Sequence, residues 1–115
     1  EFLVEGWVNA SIAKGVSPVP MLADVATNLL MMPNSRYRAA KRMREFPNEI
    51  VGQRALETCL IESTGDNYLR IMAAQSLVKL LPRETACTLF EETLAREASV
   101  QMAHFLTNMI QENCR

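Results

Sequence analysis

The chain predicts an all-α fold of about seven short helices in antiparallel pairs, and three observations carry that reading. Apolar residues recur at three- and four-residue steps in one segment after another, the periodicity of a helix with one buried face. Proline or glycine punctuates the chain between those segments. No run of Val, Ile and Thr alternates with polar residues as a half-buried strand would, and there is no Asn-Gly hairpin signal.

In chain order, Val4, Trp7, Val8, Ser11 and Ile12 stand at helical spacing, and Gly15 suits the left-handed position that closes a helix. Ser17-Pro18-Val19-Pro20 cannot continue it, but Pro20 fits the first turn of a second helix, where its missing N–H is not needed. Leu22, Val25, Ala26, Leu29 and Leu30 mark the stripe of that helix, and Met31-Met32-Pro33 stops it. Asn34-Ser35 offers capping side chains for a third helix with Tyr37, Ala40, Met43 and Phe46 on its apolar side. After the break at Pro47-Asn48, a fourth helix runs from about Glu49 to Ser63, burying Ala55, Leu56, Cys59 and Leu60, and ends at Gly65.

Asp66 or Asn67 caps a fifth helix by accepting from its free N–H groups, and Leu69, Met72, Ala73, Leu77 and Leu80 line one side of it up to Pro82. Ala73 and Ala74 are small enough to let a neighbouring helix approach closely. Ala86, Leu89, Phe90, Thr93 and Leu94 form the sixth stripe, with Glu91, Glu92 and Arg96 facing water. Met102, Phe105, Leu106, Met109 and Ile110 form the seventh, whose amino end Glu97, read as a water-facing charge, favours through the helix dipole.

Length and composition fit one α-helical domain over residues 1–115, complete or part of a longer repeat array. A hydrophobic share of 49% against 22% charged residues argues for a folded core and against disorder. Seven methionines equal the aromatic residues in number, which points to an adaptable interior. A net charge of -1 exerts no overall pull toward nucleic acid or anionic membrane. The longest apolar run, Met21 to Met32, is interrupted by Asp24, Thr27 and Asn28 and falls short of a membrane span. The acidic amino end lacks the basic start of a signal peptide. Cys59, Cys87 and Cys114 have no CxxC spacing and read as small buried apolar residues, not as a disulfide framework or metal site.

In the second half a helical pair occupies about 33 to 35 residues, close to the tetratricopeptide length but without that repeat's signature residues. The pattern is that of an irregular HEAT-like superhelical array, with an irregular helical bundle as the structural alternative. Neither half of the sequence visibly duplicates the other.

One stretch also carries a family resemblance. Arg70-Ile71-x-Ala73-Ala74, Pro82 beyond it, and Glu97-x-Ser99-x-Gln101-Met102-x-x-Phe105 are similar to the helical domain of the large lipid transfer proteins, the vitellogenin and apolipoprotein B group. The resemblance implies a horseshoe of paired helices around a lipid-filled β-sheet cavity in a large secreted parent. Lipid carriage would then belong to that parent. Met102 stands where valine is usual, and nothing before Gln53 aligns. Outside that resemblance, a cytoplasmic adaptor is the expectation.

Charge concentrates on the third helix, where Arg36, Arg38, Lys41, Arg42 and Arg44 are offset only by Glu45. These positions spread around most of the helix circumference instead of forming one phosphate-tracking stripe, which argues against nucleic acid. A solvated face is the bland reading of these side chains, and docking of an acidic protein partner is the alternative. Chemistry finds little material. His104 is the only histidine, the four glycines are single and far apart, and no cofactor motif or metal-ligand spacing occurs. The expectation is a non-enzymatic binding or scaffold module without a cofactor, whose partner is a protein, a lipid held by the larger parent, or both.

Overall fold

The computed structural model describes residues 4–114. Seven α-helices follow one another: α1 Val4–Ala13, α2 Val19–Thr27, α3 Pro33–Arg42, α4 Ile50–Glu62, α5 Asn67–Leu80, α6 Arg83–Ala95 and α7 Val100–Asn113. A 3₁₀ turn, Met43–Glu45, extends α3, and the described residues contain no strand.

Short loops fold each helix back on its predecessor, so α2 packs on α3, α4 on α5, and α6 on α7. The pairs then stack, α2 against α4, and α3 against α5, which in turn meets α7. The result measures 41 × 28 × 17 Å. A thickness of 17 Å accommodates two layers of helices whose axes lie about 8–10 Å apart.

The predicted stripes supply the core. Leu22, Ala26, Leu56, Leu60, Leu69, Leu77, Phe90, Met102 and Leu106 are fully buried. Ala39, Ala40, Ala73 and Ala74 are buried too, and these small side chains suit the close approach of α3 to α5. On α4, Gly52 performs the same service toward α2, because a Cβ there would lie 2.9 Å from Cγ1 of Val19 and 3.5 Å from Sδ of Met43. Val19 is β-branched and cannot swing aside cheaply. Gly52→Leu is therefore expected to lower stability by about 1–3 kcal/mol through overpacking, read as a lower urea midpoint at unchanged slope.

Several boundaries differ from the expected ones. The second helix ends at Thr27, because Asn28 adopts an extended backbone and its Oδ1 accepts the amide of Leu30 at 2.9 Å. That side chain offers the backbone a turn in place of another helical step. Leu29 and Leu30 consequently leave the core and stand 82% and 94% exposed. Pro18 occupies the position before α2, and Pro20 falls inside its first turn as expected. The third helix begins at Pro33 itself, so Asn34 and Ser35 lie within it and cap nothing. Trp7 and Ile12 share the helical spacing of α1 with Val4 and Val8, yet only the two valines are buried.

The cysteine expectation requires correction. Cys87 on α6 is disulfide-bonded to Cys114 at the carboxyl end of α7, with Cα atoms 5.9 Å apart. Only Cys59 is a buried free thiol. A separation of 27 residues carries no pairing signal, and the antiparallel return of α7 along α6 is what brings the two sulfurs together.

Candidate functional site

One set of polar contacts lies where one helical pair meets the next. Tyr37 Oη of α3 donates to Asp66 at 3.0 Å, and the same carboxylate caps α5 by accepting from the amide of Leu69 at 3.1 Å. Burial and this bond raise the Tyr37 phenol above its ordinary value. One pair further on, Asn67 Nδ2 donates to Oγ of Ser99 at 3.2 Å and to Oε1 of Gln101 at 2.9 Å, while Ser99 caps α7 by accepting the amide of Met102. The amino ends of α3, α5 and α7 are thus laced along one edge.

Two arginines make the second kind of contact. Arg70 Nε donates to the carbonyl of Leu60 at 2.7 Å, ten residues earlier and near the end of α4. Arg36 Nε donates to the carbonyl of Ala26 at 2.9 Å, also ten residues earlier and near the end of α2. Carbonyls in the last turn of a helix have no intrahelical donor, so each arginine satisfies one of them while turning its charge toward the negative end of the dipole.

Their outer nitrogens differ in company. Both Nη groups of Arg70 donate to the Glu97 carboxylate, Nη1 at 3.0 Å, and the two side chains are only 4% and 7% exposed. Glu97 also accepts the amide of Ser99 at 3.0 Å. The Arg70 hydrogen bonds, reinforced by that amide and opposed by desolvation, hold the Glu97 carboxyl below its ordinary value. Glu97 was expected to face water near the amino end of α7. It is instead half of a buried ion pair, a role that only the proximity of Arg70 creates. Arg36, by contrast, has no carboxylate within 4.0 Å among the described residues, and it lines a hollow of about 150 Å³.

The other basic residues singled out from the sequence do not form one face. Arg38 and Lys41 are exposed. Arg42 pairs with Glu45 and lies 3.3 Å from Glu5 of α1. Arg44 reaches across to α5, where its Nε donates to Oγ of Ser76 at 3.1 Å, and Ser76 in turn donates to the carbonyl of Ala40. Three of the five thus serve contacts inside the fold. His104 is exposed on α7, 3.4 Å from Nδ2 of Asn108. Among the described residues no group of three or more His, Cys, Asp or Glu side chains converges to hold a metal ion, and no helix is long and apolar enough to cross a membrane.

Cys59 lies beside Arg36, its Sγ 3.5 Å from the same Ala26 carbonyl, and burial pushes its thiol up to about 11. A thiol so far above neutrality stays protonated and is a poor nucleophile. No protein-family model, curated protein or solved structure matches the chain.

Proposed function

We propose that this chain is a non-enzymatic binding and scaffold module of HEAT-like helical repeats, and most specifically the helical segment of a large secreted lipid-transport protein. The observation that carries the module reading is the recurrence of one device. Arg36 and Arg70 sit at the same place on successive second helices, each followed by an Ala-Ala pair that is buried, and each bonds to the carbonyl ten residues before it. Stacked helical pairs of this kind build extended surfaces suited to recognition.

Two further points support the secreted, lipid-linked version. The Arg70 to Phe105 pattern is similar to the lipid-transfer helical domain, and the Cys87–Cys114 bridge is a feature that persists in oxidising compartments. Protein isolated from its native source under mild conditions and extracted with organic solvent is expected to release phospholipid or neutral lipid. A lipid-free preparation that retains a protein partner would replace this reading with the adaptor one.

That second reading, an adaptor docking an acidic partner through α3, is favoured by a specific observation. Arg38 and Lys41 are exposed on the helix that also carries Arg36 beside an open hollow.

A further inference from the structure

We propose that the hollow beside Arg36 is a docking site for a glutamate or aspartate side chain presented by an apolar-flanked peptide segment of a partner protein. The inference deepens the adaptor reading and rests on it. Two successive helical pairs of the molecule present the same hollow twice. The spacing that carries Arg36 to Arg70 also carries Thr27 to Ile61, Cys59 to Thr93 and Ser63 to Glu97, and each of these residues lines the corresponding hollow. In the second hollow, Glu97 engages both outer nitrogens of Arg70. In the first, the guanidinium is anchored by the same Nε bond, but the position of Glu97 is held by Ser63, which is too short and uncharged to replace a carboxylate. The arginine is pre-oriented, and among the described residues no carboxylate lies within 4.0 Å of it.

Space and surroundings agree with that occupant. A hollow of about 150 Å³ leaves room for a carboxylate on a short methylene stem. Cys59 stays a neutral thiol and does not compete as an anion. Glu62 lines the hollow from the last turn of α4, exposed and more than 4.0 Å from the guanidinium.

The rim distinguishes a peptide from a free anion. The turn leading into α3 presents Leu29, Leu30 and Met32 at 82%, 94% and 64% exposure, whereas the corresponding turn before α5 carries Ser63, Thr64 and Asp66. The turn that contributes Leu29 to the open hollow is thus apolar where its counterpart, which contributes Thr64 to the filled one, is polar. Arginine is enriched in protein-binding hot spots, bidentate Arg–carboxylate pairing supplies direction, and the uncovered leucines beside it offer an apolar surface that excludes water when a partner covers them.

The test is an NMR titration of the whole chain, following the Arg36 side-chain Nε–H and the Leu29 and Leu30 amides. The probe is a short end-blocked peptide carrying one glutamate between leucines, set against its glutamine analogue and against phosphatidylserine vesicles. The glutamate peptide is expected to shift all three signals and to bind about tenfold or more tightly than the glutamine form, the size of a charge-assisted hydrogen bond. Ser63→Glu, which supplies the counter-ion from within, is expected to raise the melting temperature and to abolish peptide binding. Leu29→Ser with Leu30→Ser should weaken binding while leaving the fold intact, since neither leucine is buried. Glu62→Gln should tighten it by removing a like charge from the hollow.

Equal binding of the two peptides, undiminished binding by Ser63→Glu, or shifts produced by the vesicles and not by the peptide would each overturn the proposal. Retention of a protein partner by a lipid-free preparation tests the adaptor reading by itself, so failure of this site and failure of that reading are separable.

Discussion

Arg70→Met is expected to destabilise the protein by about 3–5 kcal/mol, the cost of leaving a buried partner charge uncompensated. Three contacts disappear at once: the bond to the Leu60 carbonyl and both bonds to Glu97. Methionine fills much of the vacated volume, so the loss is electrostatic more than steric. For a domain of this size it corresponds to a melting temperature lower by roughly 10 °C or more.

Converting the pair together, Arg70→Met with Glu97→Leu, should recover most of that loss, because two apolar side chains need no counter-ion. A denaturant double-mutant cycle measures the coupling. A single-mutant cost under about 1 kcal/mol, the range of exposed pairs, would show that the pair is not buried as described.

The same pair makes a pH prediction. The folded Glu97 carboxyl is held below its ordinary value by the Arg70 hydrogen bonds first, so the folded state binds a proton there less readily than the unfolded chain. Its contribution is fully present above the unfolded glutamate value near 4.3 and is lost as pH falls below that through the folded value. The stability difference between the native protein and Glu97→Gln should therefore be largest near neutrality and shrink in acid. A difference constant from pH 7 to pH 3 would contradict this.

Reduction of the Cys87–Cys114 bridge carries the second large effect. Closing a loop over a 27-residue separation constrains the unfolded chain by about 3–4 kcal/mol in the loop-entropy model. Cys87→Ser with Cys114→Ser, or reductant on the native protein, should lower stability by up to that amount. Hydrogen exchange should accelerate first around Met109 to Asn113, because the bridge ties the end of α7 to α6. Alkylation of the oxidised folded protein should leave Cys87 and Cys114 unmodified, and their labelling without reductant would remove the bridge.

The helices were legible because their causes are local. Pro33 and Pro82 break the backbone pattern wherever the rest of the chain lies, and the stripe from Leu69 to Leu77 has only one way to face a neighbour. A cap at Asp66 or Asn67 was equally readable, since an acceptor before a helical run needs only the next turn to act on, and the structure places it at Asp66. Where a local competitor went unweighed, as with the Asn28 side chain against the Leu29 and Leu30 stripe, the reading failed by a turn.

The basic cluster was legible as charge but not as a surface. Residue type shows that Arg36, Arg38, Lys41, Arg42 and Arg44 are cationic, yet whether each is free depends on α1, α2 and α5, elements distant in the chain. Helix periodicity places a side chain on its own cylinder and contains no information about which other cylinder it meets.

From the amino-acid order alone followed an all-α chain of seven helices with defined apolar faces, because hydrogen bonding, periodicity and steric breaks act within a few residues. Only the packed molecule decided that Glu97 is buried against Arg70, that Cys87 meets Cys114, and that Arg36 lines a hollow with no carboxylate within 4.0 Å among the described residues. Those are meetings of residues far apart in sequence, determined by how the helical pairs stack. Their energies become large only after packing has removed the water that would otherwise screen them.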